Sequence, residues 1–555
     1  MPASSASGLG QTERQELTPG TSERRRNTQM GTDTFFVTTA IDYVNDVPHL
    51  GTAYEKIAAD AIARYRRLRG DDTYFLMGND EHSTNVEKAA VAKGLDPQKY
   101  CDMMAETFQA TWKKLNISYD GFIRTTEPRH VRAVQKMFSR IHSKGDIYAG
   151  TYEGLYCVSC EAFYTEKDLV DGKCPTHKAE PKRISEENHF FRLSKYQDAL
   201  LRHIEEHPEF IVPEIRRNEI VNVIKSGLED VSVSRGGTRW GIPLPNDPTQ
   251  TIYVWFDALI NYVSALGFGG DGVAKTDSDA AGPAEGPLFK KYWPASLHVI
   301  GKDITRFHCV LWPAMLMSAG VELPATVLGH GFVSFKGERM SKSLGNIVNP
   351  LEVADKFGPD PLRYYLLREV PLDRDGDFSW ELFIERYNSD LANDLGNLVS
   401  RTLAMLARYN AGRVEDTLVL TGKVGELKEA VRSCVAEYPG LMDRYEVSAA
   451  VQSIWKLIRR ANQFIEETAP WQLAKDPAKK TELLSVLNAL LESLRVIAVL
   501  LFPIMPGKSV EIWERAGYSG APGLGRISSL GWSDTVTEPG RVVSQPAPLF
   551  PRIST

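Results

Sequence analysis

The segment "TFFVTTAIDYVNDVPHLGTAYEKIAADAIARYRRLRGDDTYFLMGNDEH" (residues 34–82) decides the fold. Its apolar run at 34–40 predicts a buried strand, and 72–82 predicts a second strand ending in Gly-Asn-Asp. Between them, apolar residues recur with helical spacing at Tyr54, Ile57, Ala58, Ala61, Ile62 and Tyr65. Strand, helix and strand in this order predict a right-handed parallel unit that binds ligands at the carboxyl ends of its strands.

The same pattern returns later in the chain. "SLHVIGKD" (296–303) and "ATVLGHGFV" (325–333) predict strands, and the helix predicted between them at 304–320 has one face made of Ile304, Phe307, His308, Leu311, Trp312 and Met315. We therefore predict an α/β fold with a Rossmann-type parallel-sheet domain in two halves, 34–145 and 251–355, split by an insertion at 146–250. From 391 to 555 the pattern is almost wholly helical, which predicts a separate bundle.

Composition sets limits on location and partners. A formal charge of −6 over 555 residues excludes a protein that is basic all over, but it allows a local basic face. The apolar run at 485–505 is interrupted by charged residues and favours a bundle core over a membrane span, so no membrane association is expected. Residues 1–33 lack apolar periodicity and predict a disordered tail without a secretory signal. Its Arg and Ser content faintly suggests a transit peptide, but Glu13, Glu16 and Glu23 oppose this, and Met30 is an alternative start.

The few cysteines include one cluster with metal-ligand spacing. Cys157-x2-Cys160 is followed, after thirteen residues that carry an Asp-Gly turn, by Cys174-x2-His177. Two chelating pairs close a tetrahedral site with no open position, so we predict one structural zinc ion per chain. Incidental cysteines or a disulfide are the alternatives. The cysteine count suits a reducing cytosol.

His49 and Gly51 stand where a loop becomes a helix. Pro48 suits the first helical position, which places both residues in a first turn whose N–H groups and dipole attract phosphate. Glycine lets a ligand approach the backbone, and an imidazole donates to a phosphate oxygen as charge builds there. A capping loop with a surface histidine is the alternative.

Lys342 lies in "FKGERMSKSLGN" (335–346), a Gly-, Ser- and Lys-rich stretch that follows a strand. Its composition predicts a mobile loop, with Lys342 between Ser341 and Ser343. Carrying an ammonium onto a triphosphate fits phosphoryl or nucleotidyl transfer, where the protein positions groups and neutralises charge. A solvated basic loop is the alternative.

These two motifs carry a resemblance to a known family. "PHLGT" and "RMSKS" resemble the HIGH and KMSKS signatures of class I aminoacyl-tRNA synthetases. The blocks "VTTAIDYVNDVPHLG", "GNDEH", "YVWFDALINYVSALG", "HVIGKDITRFHCVLWPAML", "GHGFV" and "DGDFSWELF" are similar to those of methionyl-tRNA synthetases, and the likeness runs from residue 34 to "PLFPRI" near the end. The resemblance implies a ligase that joins L-methionine to tRNA(Met), with ATP and Mg²⁺, for protein synthesis including initiation. The resemblance also implies a zinc-bearing connective insertion, a stem-contact linker at 356–390 and an anticodon-binding domain at 391–555. We expect a cytoplasmic monomer, because the cysteine usage suits the cytosol and no dimerising domain is seen after "PLFPRI".

The resemblance also assigns residues. His49 and Lys342 become catalytic, and the ATP site comprises His49, Gly51, Thr52, Ser341, Lys342 and Ser343. Thr52 departs from the family's second histidine, and it keeps a hydroxyl donor one turn from His49. Asp80, at a predicted strand end, is our candidate for the methionine ammonium. The pocket that the resemblance implies comprises Ala40, Ile41, Tyr43, Asp80, Trp255, Leu259, Tyr262, Phe307, His308 and Trp312. Taken singly, Phe307 or Trp312 would be ordinary core.

The helical domain supplies the predicted RNA contacts. Asn393, Asn397 and Arg401 are spaced by four and predict one helical face, and Trp471 follows a helix end. The resemblance implies that these four read the CAU anticodon, whereas without it they would be caps and a core tryptophan. Two rival functions remain: a catalytically weakened paralogue that binds RNA, and a synthetase or nucleotidyltransferase for another substrate.

Overall fold

The computed structural model describes residues 33–157, 162–164, 166, 169–175, 178–236, 240–270, 285–340, 347–420, 422–522, 527, 529–544 and 548–554. Within this part of the chain, a parallel sheet carrying an antiparallel insertion is followed by a helical bundle. The predicted α/β class, the split Rossmann-type domain and the all-α C-terminal region are therefore confirmed.

The central sheet contains β1 (Thr34–Thr39), β2 (Asp42–Tyr43), β3 (Asp72–Asp80), β4 (Gly121–Arg124), β8 (Ile211–Val212), β12 (Leu297–Gly301) and β13 (Val327–His330). Its order is β2-β3-β1-β12-β13-β8, with β4 paired to β3, and every pairing is parallel. The two predicted halves thus meet where β1 pairs with β12. The segments after β1, β3 and β12 consequently share one edge of the sheet.

The first helices are α1 (Leu50–Arg69), α2 (Thr84–Ala92), α3 (Pro97–Lys114) and α4 (Pro128–Ser143). All the apolar positions predicted for α1 are buried, which confirms the helical periodicity. The predicted start was wrong: α1 begins at Leu50 with His49 as its N-cap, so Pro48 lies outside the helix. A side-chain acceptor at the cap, rather than the fixed φ of proline, sets the boundary. Gly70, with φ 100°, ends the helix in a left-handed conformation.

The insertion contains β5 (Ile147–Cys157), β6 (Ala162–Tyr164), β7 (Lys182–Phe191), β9 (Val231–Ser232), β10 (Ser234–Gly236), β11 (Gln250–Ile252), α5 (Gln197–Glu206) and α6 (Glu214–Lys225). One antiparallel sheet has the order β6-β5-β7-β9, and β10 pairs with β11. The short strand β8 instead pairs in parallel with β13. Part of the 146–250 segment therefore extends the central sheet, a difference from the predicted division.

The second half contains α7 (Val254–Leu259), α8 (Asn261–Ser264), α9 (Pro287–Tyr292), α10 (Trp312–Ala319), α11 (Pro350–Phe357), α12 (Pro359–Glu369), β14 (Val333–Phe335), β15 (Glu338–Arg339) and β16 (Gly376–Phe378). The helix predicted at 304–320 has two forms, a π-helical turn at Phe307–Leu311 and then α10. The strands β15, β14 and β16 form a small separate sheet in that order.

The bundle contains α13 (Trp380–Arg386), a π-helical segment (Tyr387–Gly396), α14 (Asn397–Asn410), α15 (Lys423–Asp443), α16 (Val447–Thr468), α17 (Pro470–Leu473), α18 (Lys480–Leu501) and α19 (Pro506–Arg515). In the described residues, the stretch 477–501 is long and apolar enough to cross a membrane, but 94% of its apolar window is buried inside the protein. The predicted bundle core at 485–505 fits this burial.

One hydrophobic core continues from α1 into the bundle. At that junction the buried Arg363 pairs with Asp60 of α1 at 2.7 Å and donates to the carbonyls of Pro503 and Ile504. Because a buried charge is stable only when it is paired and hydrogen-bonded, this cluster fixes α1 relative to the bundle.

Candidate functional site

The N-terminus of α1 is closed by a reciprocal cap. The His49 Nδ1 atom accepts hydrogen bonds from the N–H groups of Gly51 (3.0 Å) and Thr52 (3.4 Å). Because Nδ1 acts as the acceptor, the neutral imidazole carries its proton on Nε2 and can donate from there. The Thr52 hydroxyl accepts from the His49 N–H at 3.0 Å and donates to the His49 carbonyl at 2.7 Å. The predicted contact of Thr52 with ATP would require this hydroxyl to leave the His49 backbone.

The segment that follows the second motif returns to the same helix end. The Leu50 N–H donates to the Val348 carbonyl at 3.1 Å. Arg339 ends β15, whereas Ser341, Lys342 and Ser343 lie outside the described residues. The described flank of "RMSKS" is thus hydrogen-bonded beside His49.

A pocket lies at the carboxyl edge of the sheet, with an empty volume of about 310 Å³ that includes its open mouth. Its lining residues are Ala40, Ile41, Tyr43, Asp80, Trp255, Ala258, Leu259, Asn261, Tyr262, Ile304 and His308. Eight of the ten residues predicted for the methionine pocket line it. The other two, Phe307 and Trp312, are not among the lining residues.

Both remaining aromatics support the pocket from outside its lining. The Phe307 ring stacks on Trp255 with centroids 3.7 Å apart and an interplanar angle of 2°. Trp312 is fully buried, with its ring 6.0 Å from that of Tyr262. Three lining residues were missed. Ala258 precedes the predicted Leu259, Asn261 precedes the predicted Tyr262, and Ile304 lay on the predicted helical face. Adjacency to chosen positions was therefore the available signal.

The pocket contains a hydrogen-bonded pair of neutral groups. The Tyr262 hydroxyl lies 2.7 Å from His308 Nε2, and His308 Nδ1 lies 3.1 Å from the Ile304 carbonyl. A carbonyl only accepts, so Nδ1 carries the proton and Tyr262 donates to Nε2. Burial lowers the pKa of His308 to about 4 and raises that of Tyr262. At neutral pH the site therefore offers uncharged polar atoms beside apolar walls, and Asp80 lies at its edge.

Asp257 fixes the helix that carries Trp255. Its buried carboxylate lies 2.8 Å from His82 Nδ1 and 2.6 Å from His130 Nε2. Burial alone would raise the pKa of Asp257, but the two histidines outweigh burial and hold that pKa below its usual value. The cluster joins α7 to the segment just after Asp80 and to α4. Sequence reasoning missed this cluster, because its members are distant along the chain and share no local pattern.

The predicted RNA-binding residues are partly brought together. The Arg401 guanidinium lies 5.9 Å from the Trp471 ring centroid and pairs with Glu466 at 2.7 Å. Asn393 lies in the π-helical segment, and its Oδ1 accepts from Arg552 at 2.7 Å. Asn397 begins α14 and is exposed. Because the π-helical segment has a wider turn, the spacing of four does not place Asn393 in simple α-helical register with the other two.

Two of the four predicted zinc ligands can be described. Cys157 ends β5, and Cys174 lies in a turn where its N–H donates to the Ala179 carbonyl. Both thiols are buried. Cys160 and His177 lie outside the described residues, and among the described ones no group of three or more metal-ligating side chains is found.

Comparison with known proteins gives the family. The family described as "tRNA synthetases class I (M)" matches residues 35–184 and 168–403, and "Anticodon binding domain of methionyl tRNA ligase" matches 419–554. The chain belongs to the methionyl-tRNA synthetase family. The methionine–tRNA ligase of Caldanaerobacter subterraneus subsp. tengcongensis is 47% identical, over 94% of this chain and 79% of that protein. That of Thermotoga maritima is 43% identical over 94% and 80%.

A solved structure agrees with this family. Mycobacterium tuberculosis methionyl-tRNA synthetase in complex with methionyl-adenylate has a TM-score of 0.87 and 40% identity, covering 94% of this chain and 100% of that one. As a methionyl-tRNA synthetase family member, the chain is an aminoacyl-tRNA ligase.

Proposed function

We propose that the chain activates L-methionine with Mg-ATP and transfers it to the 3′-terminal adenosine of tRNA(Met), for elongation and initiation. The observation that carries this proposal is the pocket, whose lining includes Asp80, Tyr262 and His308 beside apolar side chains. An anionic edge suits an ammonium, and aromatic walls with weak polar atoms suit a thioether.

In the first step, the methionine carboxylate attacks the α-phosphate of ATP, and pyrophosphate leaves with the electron pair of the broken P–O bond. His49 Nε2–H donates to a phosphate oxygen, while Lys342 and the positive end of the α1 dipole balance the charge that develops. Gly51, Ser341 and Ser343 complete the nucleotide site, with Thr52 acting through the cap. In the second step, the terminal ribose 2′-hydroxyl attacks the carbonyl of the adenylate, AMP leaves, and the hydroxyl proton passes to the medium.

Methionine-dependent ATP–pyrophosphate exchange tests the function against both rivals. We expect exchange with methionine and little with a panel of other amino acids, followed by charging of tRNA(Met) transcripts. Exchange with another amino acid would indicate a different synthetase. Absence of exchange with retained RNA binding would indicate the weakened paralogue. A Thr52→His variant measured beside the native chain gives the kinetic effect of the cap threonine.

We also propose that Cys157, Cys160, Cys174 and His177 hold one structural zinc ion. The two described thiols are buried and come from separate segments, the end of β5 and a turn, which fits a closed soft-ligand site. The ion would supply folding energy to the insertion and take no part in the chemistry. Zinc content measured by atomic absorption should fall to zero in Cys174→Ser and stay at one per chain in Cys434→Ser, whose thiol is buried in the bundle. Equal zinc content in both variants would contradict the site.

The remaining proposals concern tRNA contacts, oligomeric state and cellular location. We propose that Asn393, Asn397, Arg401 and Trp471 bind the anticodon, that 356–390 contacts the tRNA stem, and that the chain is a cytoplasmic monomer with no membrane association. Sedimentation with and without tRNA(Met) tests the monomer, and fractionation of cells tests the compartment.

A further inference from the structure

Lys56 is a buried cation in the middle of α1. Its side chain is 1% exposed, and its ammonium donates to the Ala40 carbonyl (2.9 Å), Asp42 Oδ1 (2.8 Å) and Glu55 Oε1 (2.8 Å). These three acceptors match the three N–H donors of an ammonium. A lysine so far from water is costly to bury unless it is fully paired, so its position demands a reason.

Two of the three acceptors lie on the segment that lines the pocket. Ala40 and Ile41 follow β1 directly and face the pocket, and Asp42 comes next. Beyond them, β2 pairs in parallel with β3, so that Asp42 lies opposite Asn79 and Tyr43 opposite Asp80. The segment from Ala40 to Tyr43 is therefore held by two kinds of contact. Strand pairing holds its end at β2, and the Lys56 ammonium holds Ala40 and Asp42.

Glu55 extends the same contact to a second strand end. Its Oε2 lies 3.1 Å from Nε2 of His330, the last residue of β13. In the sheet, β12 separates β1 from β13. The pair Glu55 and Lys56 thus bridges two non-adjacent strand ends from one turn of the helix whose N-cap is His49.

The charges in this cluster depend on the ammonium. Burial raises the pKa of Asp42 to about 6, against the opposing effect of Lys56. The pKa of Glu55 is lowered to about 2, because Lys56 and His330 outweigh the effect of burial. Replacing the ammonium by an apolar group would deprive two carboxylates and one carbonyl of this donor.

We propose that Lys56 is a positioning residue for methionine, which holds Ala40–Asp42 in the shape that lines the pocket by binding the Ala40 carbonyl and the Asp42 carboxylate. This inference rests on the proposed methionine pocket. It differs from simple charge balance, because the Ala40 carbonyl carries no charge to be balanced. Through this third hydrogen bond, Lys56 also holds the backbone of the segment that lines the pocket.

The test compares Lys56→Met with Arg64→Met in methionine-dependent exchange. Arg64 lies on the same helix and makes a similarly buried ion pair with Asp60 at 2.8 Å, away from the pocket lining. Loss of charge-assisted hydrogen bonds predicts a methionine KM about tenfold higher in Lys56→Met, with the ATP KM within about twofold of the native value. Arg64→Met should lower the melting temperature and leave both KM values unchanged. An unchanged methionine KM in Lys56→Met would overturn the proposal.

Two further variants keep the result interpretable. The double variant Asp42→Asn, Lys56→Met removes one charge of each sign and so keeps the net charge of the cluster, with Glu55 still beside His330. We expect it to regain stability and keep the raised methionine KM. A native KM in this folded variant would mean that Lys56 only balances charge, and would overturn the proposal. Leu259→Ala, in the pocket wall, should raise the methionine KM. If it does and Lys56→Met does not, the positioning role fails alone; if neither does, the pocket assignment fails.

Discussion

Two π-helical segments of the described chain carry residues of the proposed methionine pocket and of the RNA-facing surface that we propose for Asn393, Asn397, Arg401 and Trp471. One segment, Phe307–Leu311, carries His308, and the other, Tyr387–Gly396, carries Asn393. Such segments are rare in proteins overall, but those that occur are often found at functional sites. The extra residue per turn redirects the side chains. The two sites share π-helical backbone geometry, and they differ in the hydrogen-bond and ion-pair partners of their polar side chains.

In the pocket, the Tyr262–His308 pair is hydrogen-bonded inside the protein and shielded from water. Tyr262 is 1% exposed and His308 2%, and they bond to each other. On the RNA-facing surface, Arg401 and Glu466 have side chains 37% and 61% exposed and pair across solvent. Under the proposed function, methionine would enter a preformed site, whereas RNA would have to displace an existing ion pair. We expect large effects in the first region and smaller, salt-dependent effects in the second.

Asp80→Asn should have the largest effect. It keeps the shape of a side chain that is 3% exposed and removes its charge. If Asp80 binds the ammonium, loss of a desolvated charge pair costs about 3 kcal/mol, or roughly a hundredfold in methionine KM. Exchange kinetics measure this KM, and the tRNA KM should not change. A methionine KM close to the native value would show that the pocket binds its ligand without this carboxylate.

His308→Gln tests the protonation state of the pocket through the pH dependence of the unfolding free energy. The folded pKa of His308 is about 4, below the usual value of 6.5, so its neutral form contributes stability above pH 6.5 that is lost as the pH falls toward 4. Linkage gives a loss of about 2 kcal/mol between pH 7 and pH 5. Urea unfolding of the native chain should show this loss, and the glutamine variant, which has no imidazole to titrate, should lack it. The difference in unfolding free energy between the two proteins should therefore change with pH, and a constant difference across this range would contradict a neutral, buried imidazole.

Trp471→Ala tests the second region. Stacking of a base on an aromatic ring contributes about 1–3 kcal/mol, so we expect the tRNA(Met) KM to rise by about fivefold to 150-fold. Methionine-dependent exchange should stay unchanged, and Trp471→Phe should retain most of the affinity. The side chain is half-buried against the bundle core. Equal losses in exchange and charging would therefore identify it as a structural tryptophan.

The sequence predicted the central elements because their patterns are long and local. The strand, helix and strand at 34–82 carry clear apolar periodicity, and each element is present. Most of the pocket was predicted because its residues lie in long blocks that resemble a family. That the two halves form one domain followed from the return of the same pattern after the insertion, whereas the pairing of β1 with β12 was not predicted.

The features that the sequence could not predict are short elements and contacts between residues that are distant along the chain. Ten residues at 387–396 do not distinguish α-helical from π-helical periodicity, and two residues of β8 carry no pattern. The cap at His49 depends on a side-chain acceptor, and the Lys56 cluster depends on groups that meet only in the folded chain. Such non-local pairs leave no periodic signal in one sequence.

Glu466→Gln should have the smallest effect and the opposite sign. It removes the partner of Arg401, and an exposed ion pair contributes at most about 1 kcal/mol, so the tRNA KM should fall by no more than about fivefold. The gain should shrink at high salt, because screening weakens the pair that RNA has to displace. Glu429→Gln is the matched control, since it makes the same charge change in an exposed pair with Arg432 on α15. If both variants lowered the KM equally, the effect would come from net charge, and Arg401 would have no special part in RNA binding.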